Sequence, residues 1–80
     1  MRLAAELTLY PLTAEYRAMV NEFLAALQAH PELQVDVGTM STVVIGDYDA
    51  VMRALQTDCR CVFAQGAAAF VVKLSNACPV

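Results

Sequence analysis

The apolar residues of this chain change their period from one stretch to the next, and that succession of periods leaves few folds open. Leu3, Ala5, Leu7 and Leu9 alternate with Ala4, Glu6, Thr8 and Tyr10. A period of two predicts a strand with one apolar face, and Pro11, which has no N–H to give, ends it. Tyr16, Met19, Val20, Phe23, Leu24 and Leu27 then recur at helical spacing. One stripe of that helix faces a core, while Arg17, Glu22 and Gln28 face away. Thr13 is placed to cap it, with Glu15 in the first turn, where the dipole favours negative charge. His30-Pro31 closes it, because a residue before proline avoids the helical region.

Leu33, Val35 and Val37 alternate with Gln34 and Asp36, a short strand that leads through Gly38 into a hairpin. Gly38 is expected to take the turn at positive φ. The stretch GTMSTVVIGDYD, Gly38 to Asp49, has a polar start and then a β-branched run, Val43-Val44-Ile45, as an interior strand requires. Gly46 is expected to stop that strand and Asp47 to cap the helix that follows. Tyr48, Val51, Met52, Leu55, Cys59, Val62 and Phe63 keep helical spacing toward Gly66, which predicts one long helix with a glycine end. Ala67 to Ser75 is a last strand, with Phe70, Val72 and Leu74 on one face and Pro79 preventing its extension.

The order strand, helix, strand, strand, helix, strand, with right-handed crossovers, predicts an α+β, ferredoxin-like βαββαβ two-layer sandwich. Its sheet is antiparallel, with both helices on one face. The first strand is expected at the centre, with the third parallel beside it and the fourth antiparallel. Glu6, Thr8 and Tyr10 then share the open face with Lys73 and Ser75. No linker or repeat interrupts the pattern, so residues 1–80 read as one domain.

Of the 80 residues, 59% are hydrophobic and only 16% charged. A two-layer domain of that size cannot hide so much apolar surface alone, which points to a homodimer or homotetramer. The net charge of −3 offers no basic surface for nucleic acid. No apolar run approaches the roughly 18 residues of a membrane span, and no signal-peptide pattern is present. Cys59, Cys61 and Cys78 form neither a disulfide framework nor a zinc-ligand spacing. They read as small hydrophobes in a reducing cytoplasm, and no cofactor is expected.

LTLYPL in the first strand, GTMSTVVIGDYDAV in the middle and VVKLSNACP at the end resemble the YkoF-like thiamine/hydroxymethylpyrimidine-binding proteins. The similarity spans nearly the whole chain, and the M-S-T…G-D signature with the closing SNACP run carries it. The resemblance implies paired or tandem ACT-like domains that bind thiamine or its pyrimidine without catalysis, in connection with thiamine-precursor uptake. With one such domain here, a second copy would supply the other half.

Ligand chemistry selects the candidate residues. An aminopyrimidine edge needs carboxylate, amide or hydroxyl partners, for which Glu6, Ser41, Thr42, Ser75 and Asn76 are available. Tyr10 and Met40 can wall a flat ring, and Glu6 or Asp47 can offset a thiazolium charge. Each has a plainer role as well. Asp47 caps a helix, and Glu6 pairs with Lys73 across strands for roughly 0.2–1 kcal/mol. Tyr10 can serve an interface, Met40 a core, and Ser75 and Asn76 a strand end. His30 reads as a solvated helix terminus. Two other functions stand beside ligand binding. One is an ACT-like regulatory or assembly module for another metabolite or a protein. The other is an enzyme using Cys78 or His30, which lacks a recognisable nucleophile–base pair.

Overall fold

A computed structural model describes residues 1–77; the expectations resting on Cys78 and Pro79 lie outside the described residues. The elements run β1 (Arg2–Pro11), α1 (Tyr16–Gln28), β2 (Gln34–Val37), β3 (Thr42–Asp47), α2 (Tyr48–Gln65) and β4 (Ala68–Ser75). The expected ferredoxin-like α+β architecture is present, including one uninterrupted α2 through the cysteines.

The sheet order is β2-β3-β1-β4, with β1 antiparallel to both neighbours. The parallel β1–β3 pairing expected from the sequence is therefore corrected. α1 returns the chain so that β2 runs with β1, and the hairpin reverses β3 against β2; the strand between β1 and β2 must oppose both. Register then sorts the side chains. Leu3, Ala5 and Leu7 of β1 stand opposite Gly46, Val44 and Thr42 of β3, and all six face the helices and are buried. Glu6 stands opposite Val43 and Lys73, on the face the helices do not cover.

Met19, Phe23 and Leu27 of α1 and Val51, Leu55 and Val62 of α2 fill the space over β1 and Val44. Each such side chain contributes about 1.5–3 kcal/mol by leaving water. Phe70 of β4 joins them, its ring 5.1 Å from that of Phe23 and 5.4 Å, edge to face, from that of Phe63. Further along β4 the helices no longer cover the sheet, and Val72 and Leu74 remain exposed.

The element ends differ from expectation in ways that can be traced. Glu15, not Thr13, occupies the N-cap of α1, and its side chain makes no capping bond. The Thr13 hydroxyl instead accepts a long bond, 3.5 Å, from the Glu15 N–H, which leaves Glu15 ahead of the first turn. No glycine adopts the left-handed region. Gly38 is required by close approach: its N–H donates to the Ser41 carbonyl at 2.9 Å, and a Cβ there would stand 2.8 Å from that same oxygen. Gly46 does not stop β3 but lies inside it, where a Cβ would meet Leu33 Cδ2 at 2.6 Å. Asp47 holds the N-cap position of α2 without a side-chain capping bond. Gly66 does end α2, in extended rather than left-handed conformation.

Candidate functional site

Neighbouring residues in a strand point to opposite sides, and this divides the polar start of β3. Ser41 turns to the open face, where its hydroxyl donates to Glu6 Oε2 at 3.3 Å. Lys73 Nζ lies 3.5 Å from Glu6 Oε1. Glu6, Ser41 and Lys73 thus form one polar chain across β3, β1 and β4. Both ends of the Glu6–Lys73 pair are substantially exposed, so its contribution stays within about 1 kcal/mol. Thr42 turns the other way, toward the helices, and is 6% exposed.

A cleft opens where α1 passes over the tip of the β2–β3 hairpin. It measures ≈ 160 Å³ and is walled by Leu7, Leu9, Val20, Phe23 and Leu24, with the run from Val37 to Thr42 forming its rim. Ser41 and Thr42 both line it, from the two faces of the sheet. No fully enclosed side-chain oxygen among the described residues lacks a partner. The Thr42 hydroxyl forms no hydrogen bond there, so it opens onto the cleft.

The eight candidate residues do not converge. Ser41, Thr42 and Met40 belong to the cleft, with Glu6 one hydrogen bond behind Ser41. Met40 fills no core: it is 86% exposed at the hairpin tip. Tyr10 is exposed near the end of β1, opposite Ala69, and does not line the cleft. Asp47, at the far end of β3, is separated from Thr42 by five strand steps, roughly 17 Å. Ser75 pairs in register with Ala4 at that same far end and its hydroxyl accepts from the Ala77 N–H at 3.1 Å; Asn76 follows it, exposed. Thr39, read in the sequence with Ser41 and Thr42 as the polar start of this stretch, lines the cleft too; the apolar wall went unread, because its spacing marks it only as core.

Electrostatics reinforce the division. The N-terminal ammonium donates to Asp47 Oδ1 at 3.2 Å, and that bond with its charge holds the Asp47 carboxyl below the usual carboxylate range. Asp47 is thereby engaged away from the cleft. Burial, and then the neighbouring Asp58, pushes the Cys59 thiol up, which suppresses its thiolate. His30 is not a solvated terminus. Its Nε2 lies 2.9 Å from Asp58 Oδ2 and its Nδ1 3.6 Å from Glu32 Oε1, at the Gly46 end of the sheet. Among the described residues no group of His, Cys, Asp and Glu could hold a metal ion, and no helix is long and apolar enough to cross a membrane.

Fold and cleft together define a ferredoxin-like α+β domain with a ring-sized opening at its hairpin end. The chain belongs to the thiamine-binding protein family, whose model matches residues 5–75, in agreement with the YkoF-like resemblance of its motifs. No curated protein matches the sequence. Among solved structures, a protein from Streptococcus pneumoniae superposes with a TM-score of 0.85 at 24% identity, over 94% of this chain and 86% of that one. A protein from Thermotoga maritima, assigned provisionally to thiamine biosynthesis or salvage, gives 0.81 at 12% identity over 94% and 83%. A domain of unknown function from Bacillus cereus gives 0.79 at 16% identity over 94% and 75%. At these identities the likeness concerns the fold.

Proposed function

We propose that the chain binds the aminopyrimidine ring shared by thiamine and hydroxymethylpyrimidine in the hairpin-end cleft, and that it does so without chemical conversion. One observation carries the reading: the cleft has the size of a single ring and an unpaired hydroxyl opening onto it. Its ≈ 160 Å³ is close to the roughly 150 Å³ of an engineered cavity that accepts benzene. The family to which the chain belongs supplies the chemical class. An aminopyrimidine presents an amino donor beside a ring-nitrogen acceptor, and the Ser41 and Thr42 hydroxyls each donate and accept. Glu6 orients Ser41 from behind and places negative charge near a thiazolium that extends past Met40 into solvent. The provisional assignment of the Thermotoga maritima neighbour to thiamine biosynthesis or salvage supports a role in salvage; the proposal extends that role to precursor uptake and sets it in the cytoplasm. A homodimer or homotetramer that covers the open sheet face, with its half-buried Val43 and Ile45, completes the proposal.

Calorimetric titration tests the ligand. Hydroxymethylpyrimidine and thiamine should both bind, and the isolated thiazole should not. Thr42→Val, Ser41→Ala and Glu6→Ala should each weaken binding at least about tenfold, roughly 1.4 kcal/mol, with native circular dichroism. Arg17→Ala, on the exposed side of α1, is the control and should change nothing. Absence of binding by either pyrimidine at millimolar concentration would overturn the function. Unaltered binding by all three variants would move the site elsewhere.

A further inference from the structure

Every lysine and arginine of the protein can be placed relative to the cleft, and none lines it. The sequence has five such residues, and no residue lining the cleft carries a charge. Arg2 stands in register with Asp47 at the far end of β3. Arg53 and Arg60 belong to α2, which contributes nothing to the cleft. Arg17 is exposed on α1, one turn before Val20, and a helical side chain tilts back toward the N-terminus, here away from the cleft. Lys73 lies on β4, two strands from β3, roughly 10 Å across the sheet, and its Nζ is held 3.5 Å from Glu6 Oε1. The other oxygen of that carboxylate accepts from Ser41. The charge nearest the cleft is thus negative and stands between the cleft and the lysine. Two further kinds of anion donor are also missing. α1 meets the cleft only from Val20 onward, past its first turn, where the helix dipole has faded. Among the described residues no backbone adopts the left-handed region, so the rim forms no αR–αL nest for an anion.

We infer that the mouth of the cleft sorts pyrimidines by charge: it takes the free hydroxymethyl compound or its thiazolium derivative and turns away the phosphate ester. The inference rests on the ring site proposed above and specifies which chemical form that site holds. The carbon that bears the hydroxyl in hydroxymethylpyrimidine bears the thiazolium nitrogen in thiamine. With the ring in the cleft, both substituents therefore leave by the same rim, past Met40 and on the side of Glu6. A phosphate monoester carries about −1.5 to −2 charge near pH 7. Placed there, it loses part of its hydration, faces the Glu6 carboxylate and meets no cation or oriented dipole to replace the water. A thiazolium in the same place gains from that carboxylate, and a neutral hydroxyl is indifferent to it. In thiamine monophosphate the phosphate lies a further ring and an ethyl arm away, outside the rim, where the carboxylate acts on it less. The protein thus holds the pyrimidine before a phosphoryl transfer to its hydroxymethyl oxygen, not after it.

Calorimetry on the full chain tests this with hydroxymethylpyrimidine, its monophosphate, thiamine and thiamine monophosphate as probes. At about 0.01 M ionic strength, where charges act over roughly 30 Å, the pyrimidine phosphate should bind at least about tenfold more weakly than the free alcohol. Thiamine monophosphate should lose less against thiamine. Raising the ionic strength to about 1 M, which cuts that range to roughly 3 Å, should narrow the gap between alcohol and ester. Thr39→Lys sets an ammonium on the exposed rim and should raise the affinity for the pyrimidine phosphate severalfold. Glu6→Gln, which keeps an acceptor for Ser41, should lower the ratio of alcohol to ester affinity. A phosphate ester that binds as tightly as the alcohol, or more tightly, overturns the inference and leaves the ring site in place. So does a gap that neither salt nor either substitution moves, since bulk rather than charge then excludes the ester. If neither hydroxymethylpyrimidine nor thiamine binds, the ring site itself fails and takes this inference with it.

Discussion

Removing His30 should destabilise the fold, because it strands a buried carboxylate. Asp58 lies in the middle of α2 with its side chain 6% exposed, and His30, just past the end of α1, is 28% exposed; they meet at 2.9 Å. A carboxylate only accepts, so Nε2 carries the hydrogen and donates it. In His30→Ala the carboxylate keeps its buried position and loses its donor. A hydrogen bond to a charged group is worth about 1.5–3 kcal/mol, and breaking a deeply buried pair costs about 3–5 kcal/mol. Since the histidine edge reaches solvent and water can partly replace it, the lower range applies, and we expect about 2 kcal/mol. For a chain of this length that corresponds to a fall in Tm of roughly 8–16 °C. Asp58→Leu with His30→Leu removes both partners and should be milder than His30→Ala, because no charge is stranded. Urea unfolding at one fixed protein concentration, with the slope unchanged, is the assay. A loss below about 0.5 kcal/mol for His30→Ala, or a double variant no more stable than His30→Ala, would refute the reasoning.

Two further expectations concern packing and thiols. Gly46→Ala should destabilise by about 1–3 kcal/mol, since its Cβ would fall 2.6 Å from Leu33 Cδ2 and 3.3 Å from the Glu32 carbonyl; denaturation showing no loss would mean that Leu33 gives way freely. In a chain with Cys78 replaced by serine, Cys61, which is exposed, should be alkylated near pH 8 well before Cys59. The Cys59 thiol, raised by burial and by Asp58, should react only as the pH rises further; mass spectrometry showing equal rates would contradict its half-buried placement. Ligand binding should survive replacement of all three cysteines, and its loss in a folded protein would give the thiols a role.

What the sequence disclosed depended on whether one residue's surroundings could be inferred from its own stretch. The alternation of Leu3, Ala5 and Leu7 names its buried face directly, because a period of two admits one assignment. Phe70, Val72 and Leu74 show the same alternation, yet only Phe70 packs against the helices; where a helix axis runs relative to a sheet edge is a tertiary fact. Asp58 went unread, although a signal for it was there. It lies seven residues after Val51 and three after Leu55, on the buried stripe of α2, and a carboxylate on such a stripe requires a partner. That partner, His30, comes from another element and could not be read locally. The candidate site scattered for a similar reason. Residue chemistry selected Asp47, Ser75 and Asn76 as readily as Ser41 and Thr42, but β3 holds its two ends far apart. Ser41 and Thr42 share the cleft only because it opens at the end of the sheet, where both faces meet.

The pairing of β1 with β4 has a consequence for how the molecule comes into being. β1 is flanked by β3 and β4, and Ala4 finds its partner in Ser75, almost the whole chain away. Contacts of such separation pay their loop-closure entropy before they return anything, and they slow folding. The hairpin of β2 and β3 can form early, from neighbouring residues, and α1 can settle on it. β1 cannot be enclosed until Ala68–Ser75 has been synthesised and released. During translation the first strand of this sheet therefore waits with one side bare, and it is the last strand to arrive that completes it.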